Sequence, residues 1–221
     1  MIRSTQSIAG LAAIVFAVAI LGANLIAVPA GLPRTGAEIG SVASFFASEG
    51  SSIGLSVALG PTAWVAAVLF GAGVVSAARR SAQDDAFVWA LAGFAGILLQ
   101  NATFTVVTSL RLALASTAGA GAESLWPLHD ALFTLNGAFL ALALLGLTVA
   151  GRRIGLTPRW HGALGLLAAA LLFASATLAP LVVAHEGPLG LLGLVGWLLW
   201  VVWLVGFGLA LLRADVAPVR A

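Results

Sequence analysis

The chain reads as an all-α polytopic membrane protein: six transmembrane helices, with a short amphipathic surface helix between the first and second. Three observations lead there. Of 221 residues, 61% are hydrophobic and only 8% are charged, whereas roughly a quarter of a soluble domain is charged. The apolar residues gather into long runs separated by short polar loops. Arginines fall on alternate loops and carboxylates mostly on the others. A helix needs about 20 apolar residues to cross a hydrocarbon core of ~30 Å. A single membrane domain over residues 1–221 therefore holds about six spans.

The first span runs from about Ile8 to Val28. A cleaved signal peptide is the rival reading, since Arg3 precedes the run and Val28-Pro29-Ala30 offers small residues to a peptidase. Secretory apolar cores usually cover about 7–15 residues, so the longer run favours a retained span. From Pro29 to about Gly50 the chain is neither span nor ordinary loop. Thr35 followed by Glu38 fits a capping box, in which each side chain satisfies a free backbone N–H at a helix start. Ile39, Val42 and Phe46 then recur at helical spacing beside Phe45, and Gly50 is a stop signal. This predicts a short amphipathic helix on the membrane surface, or a packed one that covers the bundle.

The second span, about Ser52 to Ala78, exceeds the thickness of the core at 1.5 Å per residue. Pro61 removes one backbone hydrogen bond and crowds the preceding turn, so a kink is predicted near Gly60-Pro61. The remaining spans are about Phe87 to Leu110, Leu128 to Ala150, Trp160 to Pro180 and Leu189 to Leu212. Arginines assign the orientation. Arg3, Arg79, Arg80, Arg152, Arg153, Arg159, Arg213 and Arg220 lie on one side, against Arg34 and Arg111 on the other. Eight against two places both ends in the cytoplasm. Trp64, Trp89 and Trp160 near span ends fit interfacial anchors.

Absent residue types remove whole chemistries. Without Lys there is no Schiff-base pigment, P-loop lysine or lysine nucleophile. Without Cys there is no disulfide, thiol relay, thiolate nucleophile or iron–sulfur cluster. A net charge of only +2 gives no reason to expect a nucleic-acid partner. No Asp, Glu or Arg lies in mid-span, where a charge costs at least ~2.5–3.5 kcal/mol and marks pumps, proton relays or voltage sensors. The spans carry no G-x-S-G with a partner His, no paired aspartate-rich motifs and no paired mid-span histidines. No cofactor is predicted, and enzymatic activity is disfavoured.

The polar residues within the spans are lopsided. Asn24, Gln100, Asn101, Thr103, Thr105, Thr108, Thr134, Asn136, Ser175 and Thr177 all fall in the outer halves, while Ser76 and Thr148 are minor exceptions on the inner side. Asn101, Thr105 and Thr108 share one helix face, and His129 and Asn136 share another with Asp130 and Thr134 beside them. An amide in hydrocarbon needs a partner or water, so the two stripes either glue helices together or line a wet pocket open to the outside. Loops on that side add Glu38, Glu49, Glu123, His185 and Glu186. A mixed His and carboxylate group at a polar mouth suits a cationic ligand, protons or a divalent metal. The spacing is not that of a zinc site, and His185-Glu186 lacks the second His of an H-E-x-x-H helix. His161 beside Arg159 reads as interfacial.

Trp197, Trp200 and Trp203 form a stripe that suits packing or lipid contact better than a ligand pocket. Gly190, Gly193, Gly196, Gly206 and Ala210 allow close helix approach within the bundle, in a homodimer or against a partner in a membrane complex. The stretch from Gly146 through Arg152-Arg153 and Pro158-Arg159-Trp160 to Gly162 follows a span opened by His129-Asp130. It resembles the small six-span bacterial proteins grouped as the DUF4386 family of unknown function. The resemblance covers the fourth and fifth spans. It implies a multi-pass protein of the bacterial inner (plasma) membrane, and it supplies no catalytic residues.

The sequence thus predicts an outward-facing polar pocket for a small or lipidic ligand, with transport as one use. Gln100, Asn101, Thr105 and Asn136 would bond the ligand, and His129, Asp130, Glu49 and Glu186 would set the charge at the mouth. The alternatives are an outward-facing metal-dependent hydrolase on His129, Asp130, His185 and Glu186, with a divalent metal as cofactor, and a structural subunit of a larger complex.

Overall fold

In hydrocarbon no water bonds the backbone, so each apolar run must satisfy its N–H and C=O groups within its own helix. The computed structural model describes residues 2–81, 83–184 and 187–216, and among them every regular element is an α-helix. In chain order these are α1 (Ile2–Ala27), α2 (Ile39–Ser48), α3 (Gly50–Ala58), α4 (Gly60–Arg80), α5 (Asp84–Ser116), α6 (Ala122–Arg153), α7 (Arg159–Thr177), α8 (Ala179–Ala184) and α9 (Gly190–Val216). Six stretches are long and apolar enough to cross a membrane: Thr5–Ala27, Gly50–Arg80, Asp84–Ser116, Ala122–Arg153, Arg159–Thr177 and Gly190–Ala214. The second of these joins α3 and α4. Leu59 interrupts it, and Pro61 stands in the first turn of α4, where its missing N–H costs nothing. This interruption falls beside Gly60-Pro61, where the sequence predicts a kink.

The six spans follow one another around a closed ring. Helix α1 packs on α4, α4 on α5, α5 on α6, α6 on α7, α7 on α9, and α9 returns to α1. Small residues permit the close approaches. A Cβ on Gly96 would lie 2.4 Å from the Ala143 nitrogen, and one on Gly10 would lie 2.7 Å from the Gly208 carbonyl oxygen. The middle is filled by Phe16, Phe70, Leu144, Leu147, Leu172, Trp200, Trp203, Leu204 and Phe207. Trp200 meets Phe16 edge-on at 5.3 Å, and Phe70 meets Trp203 and Phe207 at 6.2 and 5.4 Å. Trp200 and Trp203 are packing residues, as the stripe suggested. Leu11, Val18, Leu25, Val65, Leu91, Leu98, Leu135, Leu167, Phe173 and Val202 point outward. That apolar belt is what contact with lipid tails requires.

Helices α5 and α6, of 33 and 32 residues, are each about 50 Å long. They exceed the ~30 Å core and carry polar side chains beyond it at the end opposite the termini, called here the far end. That end has its own small core. Val42, Phe45 and Phe46 of α2 pack with Ile53, Leu114, Ala122 and Trp126, and Phe46 meets Trp126 edge-on at 5.9 Å. Helix α2 therefore caps the bundle with its apolar face turned inward. The turn between α5 and α6 fits beneath it through Gly119, whose φ is +81° and whose Cβ would fall 2.3 Å from the Ala43 carbonyl oxygen.

The Thr35/Glu38 capping box does not form. Glu38 is itself the N-cap and makes no side-chain cap bond. Thr35 lies in a preceding turn with Gly36, whose N–H is taken by a distant carboxylate. Tertiary bonding won over the local motif.

Candidate functional site

The far ends of α5 and α6 hold a continuous polar chain. Helix α5 runs on past Leu110 to Ser116, so Arg111 is a helix residue and reaches across to α6. Its Nε–H donates to His129 Nε2 at 2.9 Å. A guanidinium has no acceptor, so this contact assigns Nε2 as the unprotonated nitrogen. The other nitrogen, Nδ1, then donates to Asp130 Oδ1 at 3.0 Å. Asp130 Oδ2 accepts the Gly36 N–H at 2.8 Å, from the loop before α2. A cation and an anion are thus bridged by a neutral imidazole, with His129 and Asp130 each only 2% exposed. The imidazole is sandwiched, stacked on Trp126 at 4.2 Å and parallel to Phe133 at 5.9 Å, while Arg111 lies 5.7 Å from the Phe133 ring centre.

An Asp–His pair is a familiar device for general-base catalysis, in which the distal nitrogen takes a proton from a nucleophile. Here that nitrogen faces Arg111, which can neither give up a proton readily nor act as a nucleophile. The lone pair a base or a metal would need is already engaged. The chain ties α5, α6 and the α1–α2 loop together.

Deeper in the same half, the expected ligand residues divide into groups. Asn101 and Asn136 are buried, and the side-chain carbonyl oxygen of each has no hydrogen-bond partner. Asn101 Nδ2 donates to the Trp64 carbonyl at 3.1 Å, which turns this residue toward α4. Gln100 is also buried, and its spacing from Gly93, Gly96, Phe104 and Arg111 puts it on the α5 face that meets α6. Asn136 shares the opposing stripe of α6 with His129, Phe133 and Ala143. Thr105 is exposed and gives its hydroxyl to the Asn101 carbonyl in its own helix, and Thr108 bonds its own helix in the same way. The threonine stripe therefore does not point at Asn136. Glu49 lies half-exposed between α2 and α3 and accepts from Ser52 at 2.9 Å. His185 and Glu186 lie outside the described residues. Among the described residues no group of three or more His, Cys, Asp or Glu side chains comes together.

Sequence reasoning passed over a second polar cluster. Thr148, Thr157, His161 and Trp203 are all buried in the half of the bundle that carries the termini. The available signal was the run of glycines around them, Gly151, Gly162, Gly165 and Gly206. In hydrocarbon such a grouping lets polar side chains sit against backbone. No family model, curated protein or solved structure matches this chain.

Proposed function

We propose that this integral membrane protein binds a small or lipidic ligand in the far half of its bundle, through the side-chain carbonyl of Asn136 between α5 and α6, with the Asn101 carbonyl as a second acceptor on the side toward α4. The observation that carries this reading is that both oxygens are buried without a donor, a state native structures seldom leave uncompensated. Because Asn101 already spends its amide on the Trp64 carbonyl, its free group accepts only. The ligand it suits therefore brings hydroxyl or amine hydrogens. Gln100, on the facing stripe of α5, is a third contact. The Arg111–His129–Asp130 chain serves as the clamp that fixes the mouth, and the hydrolase alternative finds its imidazole already occupied.

With Arg3, Arg79, Arg80, Arg152, Arg153, Arg159 and Arg213 near the end that carries the first residues of α1 and the last of α9, and Arg34 and Arg111 on the other side, we infer that the far end is extracytoplasmic. Placement in a bacterial inner membrane is what the sequence resemblance of the fourth and fifth spans to DUF4386 proteins implies. Transport is one use of such a site.

The test is native mass spectrometry of detergent-purified protein. Wild type should retain a bound mass that Asn101→Leu/Asn136→Leu loses, and once that mass is stripped from both proteins the melting temperature of Asn136→Leu should equal or exceed that of wild type, because a free buried acceptor has been removed. Identical spectra for wild type and the double variant would end this reading.

A further inference from the structure

Four polar atoms lie buried without partners where α6, α7 and α9 meet in the half of the bundle that carries the termini: Thr148 Oγ1, Thr157 Oγ1, His161 Nδ1 and Trp203 Nε1. Their residues are 1%, 3%, 1% and 1% exposed. Thr148 Oγ1 and Trp203 Nε1 converge on Gly165. The Cβ that Gly165 lacks would stand 2.2 Å from Thr148 Oγ1 and 2.6 Å from Trp203 Nε1. His161 lies one turn before Gly165, stacks on Trp203 at 5.6 Å and meets Phe207 at 5.6 Å. A Cβ on Gly151 would fall 2.8 Å from Phe207 and 3.3 Å from Thr157 Oγ1. His161 Nε2 is 2.8 Å from the Trp203 carbonyl and must donate to it, so Nδ1 carries a lone pair.

We propose that this cluster is a buried water site. The donor set favours it. The indole N–H only donates, the imidazole Nδ1 only accepts, and the two hydroxyls do either. A cation would meet the indole hydrogen, and an anion would meet the imidazole lone pair. A neutral molecule that donates and accepts satisfies all four, and a buried water makes 2–4 such bonds. The lining packs directly on backbone at Gly165 and Gly151, where even one methyl carbon would collide with it. The site stands apart from the far-end ligand reading, since the apolar side chains of Phe70, Leu144, Trp200 and Leu204 fill the bundle between the two. Its effect is to give a buried imidazole a hydrated contact on the side of the membrane where the termini lie.

Hydroxyl-radical footprinting of the full protein in detergent tests this directly, because radicals made from bound water modify the side chains beside it. Trp203 and His161 should be modified several-fold faster than Trp200, which is similarly buried but packs on Phe16 and Trp197. Thr148→Val keeps the shape and removes a hydroxyl, and should bring Trp203 down toward Trp200 at an unchanged melting temperature. Gly165→Ala, which places a carbon inside the cluster, should do the same if it folds. Equal modification of Trp203 and Trp200 in the wild type overturns the proposal. Undiminished labelling of Trp203 in Thr148→Val overturns it as well.

Discussion

Asp130 holds three things at once: the imidazole of His129, through it the charge of Arg111, and the Gly36 N–H. Removing one partner of a buried ionic set leaves the other uncompensated, which typically costs 3–5 kcal/mol. Asp130→Asn should therefore lower the thermal midpoint in detergent by an amount equivalent to at least about 3 kcal/mol. Arg111→Lys should not preserve stability, because an ammonium cannot copy the planar Nε–H contact to the imidazole and the stacking over Phe133. A midpoint unchanged in either variant would show that the chain is not a clamp. Part of this site was legible in the residues. His129 and Asp130 stand out as a histidine and an aspartate opening a span side by side, and Asn101 and Asn136 as amides within apolar runs. Their partners were not. A hydropathy run stops at a charge, so the third span was drawn to end at Leu110, one residue short of the arginine that matters. His161 read as interfacial because it follows Arg159, yet α7 turns it inward onto Trp203. A helix face toward a neighbour and one toward lipid look alike in a sequence this apolar.

Helices α5 and α6 make the most extensive pairing in the bundle, and their antiparallel contact depends on missing side chains. Gly96 would place a Cβ 2.4 Å from backbone at Ala143, and Gly146 would place one 2.4 Å from backbone at Gly93. Backbone cannot step aside as a side-chain tip can. Gly96→Ala should separate the helices and lower the melting temperature sharply, whereas Gly54→Ala, with nothing within 4 Å, should leave it unchanged or raise it. Equal effects from the two would refute close packing as the basis of this contact. Element by element, the spans were readable because their lengths answer to bilayer thickness. The break at Leu59 was readable because proline has no N–H to give. Helix α2 was recognisable from Val42, Phe45 and Phe46, but which way that face turned was decided by Trp126 and Leu114, far away in sequence. Phe46→Ala should loosen this cap, and a buried aromatic truncation of this kind costs about 3–5 kcal/mol. Faster proteolysis at the α1–α2 loop of that variant would report the loosening.

The whole molecule is a ring of six spans with buried polar groups in both halves and an apolar core that includes Phe16, Phe70, Leu144 and Trp200. The absence of cysteine makes the proposed orientation easy to check. Ser116→Cys, exposed at the far end of α5, should react with a membrane-impermeant maleimide on intact cells, and Gln83→Cys, exposed at the other end, should react only after lysis. The reverse pattern would invert the molecule and with it the meaning of the arginine count. The number of spans was legible and their order around the ring was not, because lipid tails are as apolar as leucine and leave no hydrophobic signal for who neighbours whom. The joint between α1 and α9 has a consequence for biogenesis. Gly10 and Gly208 approach so closely that a Cβ on either would lie within 2.8 Å of the other's carbonyl oxygen, and Phe16 rests on Trp200. Helix α1, made before α9, thus waits for it before its second flank is covered. Until then the face bearing Ala9, Ala13 and Phe16 is an open seam that lipid or an insertion factor must shelter.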